Sequence, residues 1–203
     1  MENNLRIALA GPSGVGKTTL AKIISKEFDL PFISGSTKHL WEYHGIKNHR
    51  DLFSRSALDP AWGNMYQFEA LGFRRNIVAN NHRFVTDRSP LDNLSYYLSE
   101  TVAYVSELET KEYIGRCADV MSQFDLIIQI PFTDETVLEN DGNRIVNRYY
   151  QRASNGMFSV AAQLMAEVLP PKGSLRVITL TEWDLQKRKD KVFDTIITLT
   201  TTN

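Results

Sequence analysis

Residues 11–18 read Gly-Pro-Ser-Gly-Val-Gly-Lys-Thr, the spacing G-x-x-x-x-G-K-[ST]. Glycines at 11, 14 and 16 open backbone conformations that a Cβ forbids. Successive N–H groups can then turn inward around an anion. A helix starting just after the loop adds its positive end. Lys17 has the reach for the β- and γ-phosphates of a nucleoside triphosphate, and the Thr18 hydroxyl can ligate Mg²⁺. The residues expected to hold ATP are Gly11, Ser13, Gly14, Val15, Gly16, Lys17, Thr18 and Thr19.

Three other groups could carry chemistry. Asp87 and Arg88 follow a short apolar run and precede Ser89-Pro90. A carboxylate at such a place can hold a water on Mg²⁺ or take a proton from an acceptor hydroxyl. Its arginine neighbour can grip phosphate bidentately. A buried Asp–Arg pair of purely structural use is the plainer alternative. Arg144, Arg148 and Arg152 are spaced four apart and share a face if helical. No acid lies among positions 145–151, so they suit an anion, as on a lid closing over a triphosphate; a solvated basic face is the alternative. Gln67 stands among Trp62, Tyr66, Phe68 and Phe73. An amide can hydrogen-bond a base edge while aromatics, Tyr66 and Trp41 included, stack on the ring. An exposed Gln on an ordinary amphipathic helix would look the same. His39, His44 and His49 show no metal-ligand spacing.

The elements that must position these residues are legible as alternating runs. Residues 5–10 are strand-like, and Leu20, Ile23, Ile24 and Phe28 mark one face of the helix after the loop. Residues 31–34 read as a second strand. Residues 35–60 have no clean period and read as a long irregular loop of functional kind. Pro60 is placed to open a helix, with Trp62, Tyr66, Glu69, Phe73 and Ile77 close to one face. Residues 83–86 form a third strand, and Pro90 opens a helix bearing Leu91, Leu94 and Leu98. A further helix is expected over 107–122. Residues 126–130 are an almost unbroken apolar run, the pattern of a strand buried on both faces. Asn140–Asn143 reads as a turn. Met157 to Val168 reads as a helix stopped at Pro170-Pro171 and Gly173. Residues 176–180 form a fifth strand, and the tail from Asp184 is helical. Strands alternating with helices imply a mostly parallel sheet covered on both faces. Ligands of such sheets bind beyond the carboxyl ends of the strands. That rule gathers residues 11–18, 34–37, 87–89 and the segment from Pro131 onwards at one edge.

Composition sets bounds. The chain has 203 residues, 42% hydrophobic and 23% charged, which suits one α/β domain. A formal net charge of −1 gives no global basic field for nucleic acid. Cys117 is the single cysteine, which excludes an internal disulfide and fits a reducing compartment. No run reaches transmembrane length, and the start of the chain is unlike a signal peptide, so a cytoplasmic protein is expected.

The phosphate loop, the strand ending Asp87-Arg88-Ser89-Pro90 and the arginine-bearing segment after strand four resemble the P-loop nucleoside and nucleotide kinases. The likeness is greatest to the thymidylate kinase and deoxynucleoside kinase branch and to the related nicotinamide-riboside-kinase-like ATPase domains. It spans most of the chain on short motifs. It implies a three-layer α/β P-loop NTPase fold with strand order 2-3-1-4-5, the cofactors ATP and Mg²⁺, and often a homodimer. It implies that Asp87, standing where deoxynucleoside kinases carry an acid before Arg-Ser, is the base, and that Gln67 reads the acceptor. Ser34-Gly35-Ser36-Thr37 departs from the acidic or arginine-bearing motif usual after strand two.

The expected activity is transfer of the γ-phosphoryl group of ATP to a nucleoside, a nucleoside monophosphate or a related acceptor. Lys17, Asp87, Arg88, Arg144 and Arg148 are the expected catalytic set; Gln67, Trp41, Tyr66, Arg88 and Arg152 the acceptor set; Thr18 and Asp87 the metal set. The segment 35–60 would be an acceptor-site insertion and about 138–156 a lid. A kinase acting on a modified base in DNA is an alternative, with nucleic acid possible and not favoured. A switch or motor ATPase is another; it wants a glutamate beside Asp87, and Val85-Thr86-Asp87-Arg88 has none.

Overall fold

A computed structural model describes residues 4–140, 142, 145–170 and 175–201. Five parallel strands form one sheet in the order β2-β3-β1-β4-β5. They are β1 (Arg6–Ala10), β2 (Phe32–Ile33), β3 (Phe84–Thr86), β4 (Leu126–Gln129) and β5 (Arg176–Thr179). The helices are α1 (Lys17–Glu27), α2 (Lys38–His44), α3 (His49–Leu58), α4 (Pro60–Asn80), α5 (Pro90–Glu100), α6 (Glu107–Met121), α7 (Arg148–Val168) and α8 (Leu185–Thr201). This is the expected three-layer α/β arrangement and strand order.

Alternation along the strands divides the core. Ala8, Ala10, Phe84 and Ile127 face α4–α7. Ile7, Leu9, Val85, Leu126 and Ile128 face α1 and α8. Every residue of β3 and β4 is buried, as a doubly covered parallel sheet requires. A third cluster, Trp41, Ile46, Leu52, Tyr66 and Ala70, joins α2, α3 and α4 beside the sheet.

Two expectations change here. The stretch 35–60 is not an irregular loop: it holds α2 and α3. Both are short, and local devices rather than an apolar period mark them. Gly45 ends α2 in the left-handed region (φ 64°), and the Asn48 side chain caps α3 by accepting from Asp51 N–H. The buried face of α4 is also rotated from the aromatic stripe. It runs through Gly63, Tyr66, Gln67, Ala70, Leu71, Arg74, Ile77 and Val78, so Gln67 and Arg74 are buried in place of Glu69 and Phe73 of the expected stripe. The expected turn at Asn140–Asn143 and helix stop at Pro170–Gly173 fall partly or largely outside the described residues. Among the described residues no helix is long and apolar enough to cross a membrane.

Candidate active site

β1 has β3 on one side and β4 on the other, so the segments leaving β1 and β3 meet at the carboxyl edge of the sheet. The first is the phosphate loop. Gly11, Gly14 and Gly16 have φ of 140°, 88° and 90°. At Gly11 glycine is doubly required: a Cβ there would stand 2.1 Å from the Ile130 carbonyl oxygen. Lys17 is buried, and its Nζ donates to the carbonyls of Gly11 and of Pro12 (2.7 Å).

Asp87 ends β3 beside that loop. The Thr18 hydroxyl donates to Asp87 Oδ2 at 2.5 Å, and the Gly35 N–H donates to Oδ1 at 2.9 Å. The two oxygens expected from the sequence to face a metal, those of Thr18 and Asp87, are thus in direct contact. Gly35 is tightly held: a Cβ would meet Arg88 Cβ at 2.5 Å, Arg74 Nη1 at 2.9 Å and Thr86 Oγ1 at 2.9 Å.

α5 starts with Ser89 as its N-cap and Pro90 in its first turn. Ser89 and Asp92 form a capping box, so a carboxylate is fixed in the first turn. Asp92 Oδ2 accepts from Ser89 N–H (2.9 Å) and Oγ–H (3.0 Å), and Oδ1 accepts from Arg88 Nη1 (3.0 Å). Lys17 Nζ lies 3.9 Å from the same oxygen. Asp92 was not singled out from the sequence. Its signal was the S-x-x-D spacing of a capping box, Ser89-Pro90-Leu91-Asp92.

A cavity of about 740 Å³ opens from the loop and runs between α2, α3, α4 and α5. Ser13, Gly14, Gly16, Lys17, Thr18 and Thr19 line one part of it; Trp41, Tyr66, Gln67, Asp87 and Arg88 are among the residues that line the remainder. Val15 does not line it, being packed in the core under the loop; nor does Gly11. Trp41 Nε1 donates to the Tyr66 hydroxyl at 2.9 Å, tying α2 to α4. Gln67 is buried, with Nε2 donating to Glu100 Oε2 at 3.2 Å.

Arg74, Glu100 and Tyr96 are among further lining residues that escaped the sequence reading. Arg74 is 4% exposed; Nε donates to Asn93 Oδ1 at 3.2 Å, while Nη1 is buried with no hydrogen-bond partner. Burial pulls its guanidinium down to about 10, against the pull of Asp92. Glu100 is buried, and desolvation pushes its carboxyl up to about 8. Tyr96 lines the same wall.

The arginines after β4 are placed otherwise than expected. Arg144 lies outside the described residues. Arg148 opens α7 and donates to the carbonyls of Asp134 (2.8 Å) and Thr136 (3.3 Å). Arg152 pairs with Asp134 at 2.6 Å on the surface. Neither lines the cavity. The acid missing from positions 145–151 comes from the segment just after β4, which spacing within the helix could not show.

A glycine loop between strand and helix, a Lys-Thr at its end and an Asp–Thr contact at the neighbouring strand define a P-loop nucleotide-binding domain. A family model described as an AAA domain matches residues 6–160, and the chain belongs to that family. A cytidylate kinase from Mycoplasmopsis synoviae (strain 53) is 49% identical over 53 residues, 26% of this chain; the match spans 24% of that kinase's length. A cytidylate kinase from Lactiplantibacillus plantarum is 23% identical over 174 residues, 81% of this chain and 76% of that one. Among solved structures, deoxyadenosine kinase from M. mycoides with bound dATP superposes with TM-score 0.64 at 15% identity, covering 95% of this chain and 99% of that one. The fold is thus the one that P-loop nucleoside and nucleotide kinases use.

Proposed function

We propose that this protein is an ATP-dependent kinase that phosphorylates a nucleoside, a nucleoside monophosphate or a closely related acceptor. The observation that carries the reading is the shape of the cavity around Asp87. One space joins the phosphate loop to a wall of Trp41, Tyr66 and Gln67, and Asp87 stands between them. A cavity of about 740 Å³ has the size of a site for small ligands, roughly 300–1,000 Å³. The similarity to cytidylate and deoxyadenosine kinases supports the same class of acceptor.

The two aspartates divide the chemistry. Both Asp92 oxygens are engaged by Arg88 and Ser89, so Asp92 holds the arginine in place. Asp87 accepts one hydrogen bond at each oxygen and keeps further lone pairs for a ligand. It would orient an acceptor hydroxyl and take its proton as the hydroxyl oxygen attacks phosphorus. Lys17, released from the loop carbonyls, would bind the outer phosphate oxygens, and Arg88 would offer its guanidinium to phosphate. Thr18 Oγ1 and Asp87 are adjacent hard oxygens, and Mg²⁺ takes few protein ligands when nucleotide phosphates and waters complete its shell. The donor set therefore fits Mg²⁺, which when bound would neutralise charge on the β- and γ-oxygens.

The test is transfer of label from γ-labelled ATP to a panel of nucleosides and monophosphates. Asp87→Asn is expected to abolish transfer to a hydroxyl while ATP binding persists; turnover near wild type would remove Asp87 from the reaction. Lys17→Ala is expected to cost roughly 10²-fold in transfer rate, the size seen when one preorganised charge-stabilising donor is lost.

Family membership supports a second reading, a P-loop ATPase that hydrolyses ATP without an acceptor. Acceptor-independent ADP release, with no labelled product from the panel or from DNA, would favour it. Label appearing in DNA would instead favour a modified base as acceptor.

A further inference from the structure

Asp92, Tyr96 and Glu100 are spaced four apart on α5 and line the cavity as one stripe. At 1.5 Å per residue, Glu100 lies about 12 Å along the helix from Asp92, the contact of Lys17. The stripe thus leads from the phosphate end to the far end of the cavity. There the Glu100 carboxyl is buried with Gln67 as its described partner, and no cation pairs with it among the described residues. A buried carboxyl lacking a counter-ion is held in its neutral form, where it carries one O–H donor. Gln67, with one amide N–H directed to Glu100, keeps Oε1 as an acceptor on the other side of the amide.

We propose that Glu100 and Gln67 together read the acceptor's base: Glu100 donates a hydrogen bond to a ring nitrogen, and Gln67 Oε1 accepts one from the adjoining exocyclic amine. Such a pair selects an amidine edge, as cytosine and adenine present. It rejects uracil, whose ring N–H and carbonyl put donor against donor and acceptor against acceptor. Guanine, with two adjacent N–H donors, would instead want a carboxylate. This rests on the reading of the cavity as an acceptor site for nucleosides.

The surroundings agree with a neutral Glu100. The phenols that interact with it are Tyr96 on its own helix and, from neighbouring elements, Tyr66 on α4, Tyr113 on α6 and Tyr150 on α7. Burial pushes each phenol up, so all four are uncharged near neutral pH. Of the cavity's two arginines, Arg88 is engaged by Asp92 and Arg74 by Asn93. His49 on α3 packs its ring against Tyr96 on the same wall.

The experiment is calorimetric binding of cytidine, adenosine, uridine and guanosine, without ATP, between pH 7 and 9.5. Wild type is expected to bind cytidine or adenosine at least 10-fold more tightly than uridine at pH 7. That affinity is expected to fall roughly tenfold by about one unit above pH 8, as the donor is lost. Glu100→Gln keeps a neutral donor of the same shape, so its affinity is expected to stay level across the range. Glu100→Asn, which shortens the reach, is expected to bind weakly at every pH. The thermal midpoint of each variant confirms folding. Uridine or guanosine bound as tightly as cytidine, or an unchanged pH profile in Glu100→Gln, would overturn the assignment. Because binding is read apart from transfer, phosphorylation without base preference would sink this inference alone. Selective binding without transfer would sink only the kinase reading.

Discussion

Two buried aspartates beside one lysine behave differently because their partners differ. Asp92 closes a capping box and holds Arg88, so Asp92→Asn would leave Arg88 facing an amide and the Ser89 donors poorly matched. Leaving such buried groups unsatisfied costs about 1–3 kcal/mol. The expected outcome is a fall in the thermal midpoint at roughly 2–4 °C per kcal/mol, seen by calorimetry before activity is considered. Asp87→Asn should change stability less, since its partners are one hydroxyl and one backbone N–H. Glu100 gives the protein a pH dependence of a definite sign. Its carboxyl titrates near 4.5 when unfolded and near 8 when folded. The folded chain therefore holds the proton more tightly, and the stability this contributes is complete below about pH 4.5. It is lost as pH rises toward and through 8, at up to about 1.4 kcal/mol per unit. Glu100→Gln should flatten that decline in melts taken from pH 5 to 9; an equal decline in both proteins would show that other groups set it.

At the level of elements, the turn between β2 and α2 does most to shape the acceptor side. Gly35 N–H reaches Asp87, and its missing Cβ makes room for Arg88, Arg74 and Thr86. Gly35→Ala must displace Arg88, whose Cβ would lie 2.5 Å from the new carbon, and backbone-linked atoms cannot swing away. Acceptor KM is expected to rise about tenfold or more while ATP affinity changes little; equal losses in both would mean that the whole edge of the sheet has shifted. This turn also marks where the sequence stops being legible. The phosphate loop, the strands and Asp87 were visible because each is set locally, by glycine spacing or by an apolar run ended by a polar residue. Strand order came from resemblance. α2 and α3 were not visible, because they are short and half-solvated, and their caps, Gly45 and Asn48, lie in a polar stretch with no period. Arg74 and Glu100 were hidden for another reason. Each looks like an ordinary surface charge until α4 and α5 are packed together. Arg148 and Arg152 looked free because Asp134, which binds both, belongs to a different segment.

Across the whole molecule, the last helix is tied to the first loop. Arg188 on α8 is buried; Nε donates to the Glu182 carbonyl at 2.6 Å and Nη1 to the Val15 carbonyl at 3.1 Å, across 173 positions of chain. In a trans peptide the C=O and N–H point in opposite directions. Holding the Val15 carbonyl toward α8 therefore turns the N–H of Gly16, a residue that lines the cavity, away from α8. The apolar residues Val192 and Ile196 fix the helix on the same core face as Val15 and Leu20, so the arginine is held as a brace. The contact lies beyond residue 160, where the family match ends. Arg188→Ala should loosen this peptide, weakening binding of a non-hydrolysable ATP analogue about tenfold, while Arg188→Lys, able to reach one carbonyl, should recover part of it. Hydrogen exchange gives the complementary reading: adding the analogue should slow exchange in α8 of the wild type and not in Arg188→Ala. Equal protection of α8 in both would mean that the helix senses the nucleotide through core packing and that Arg188 plays no part in the coupling.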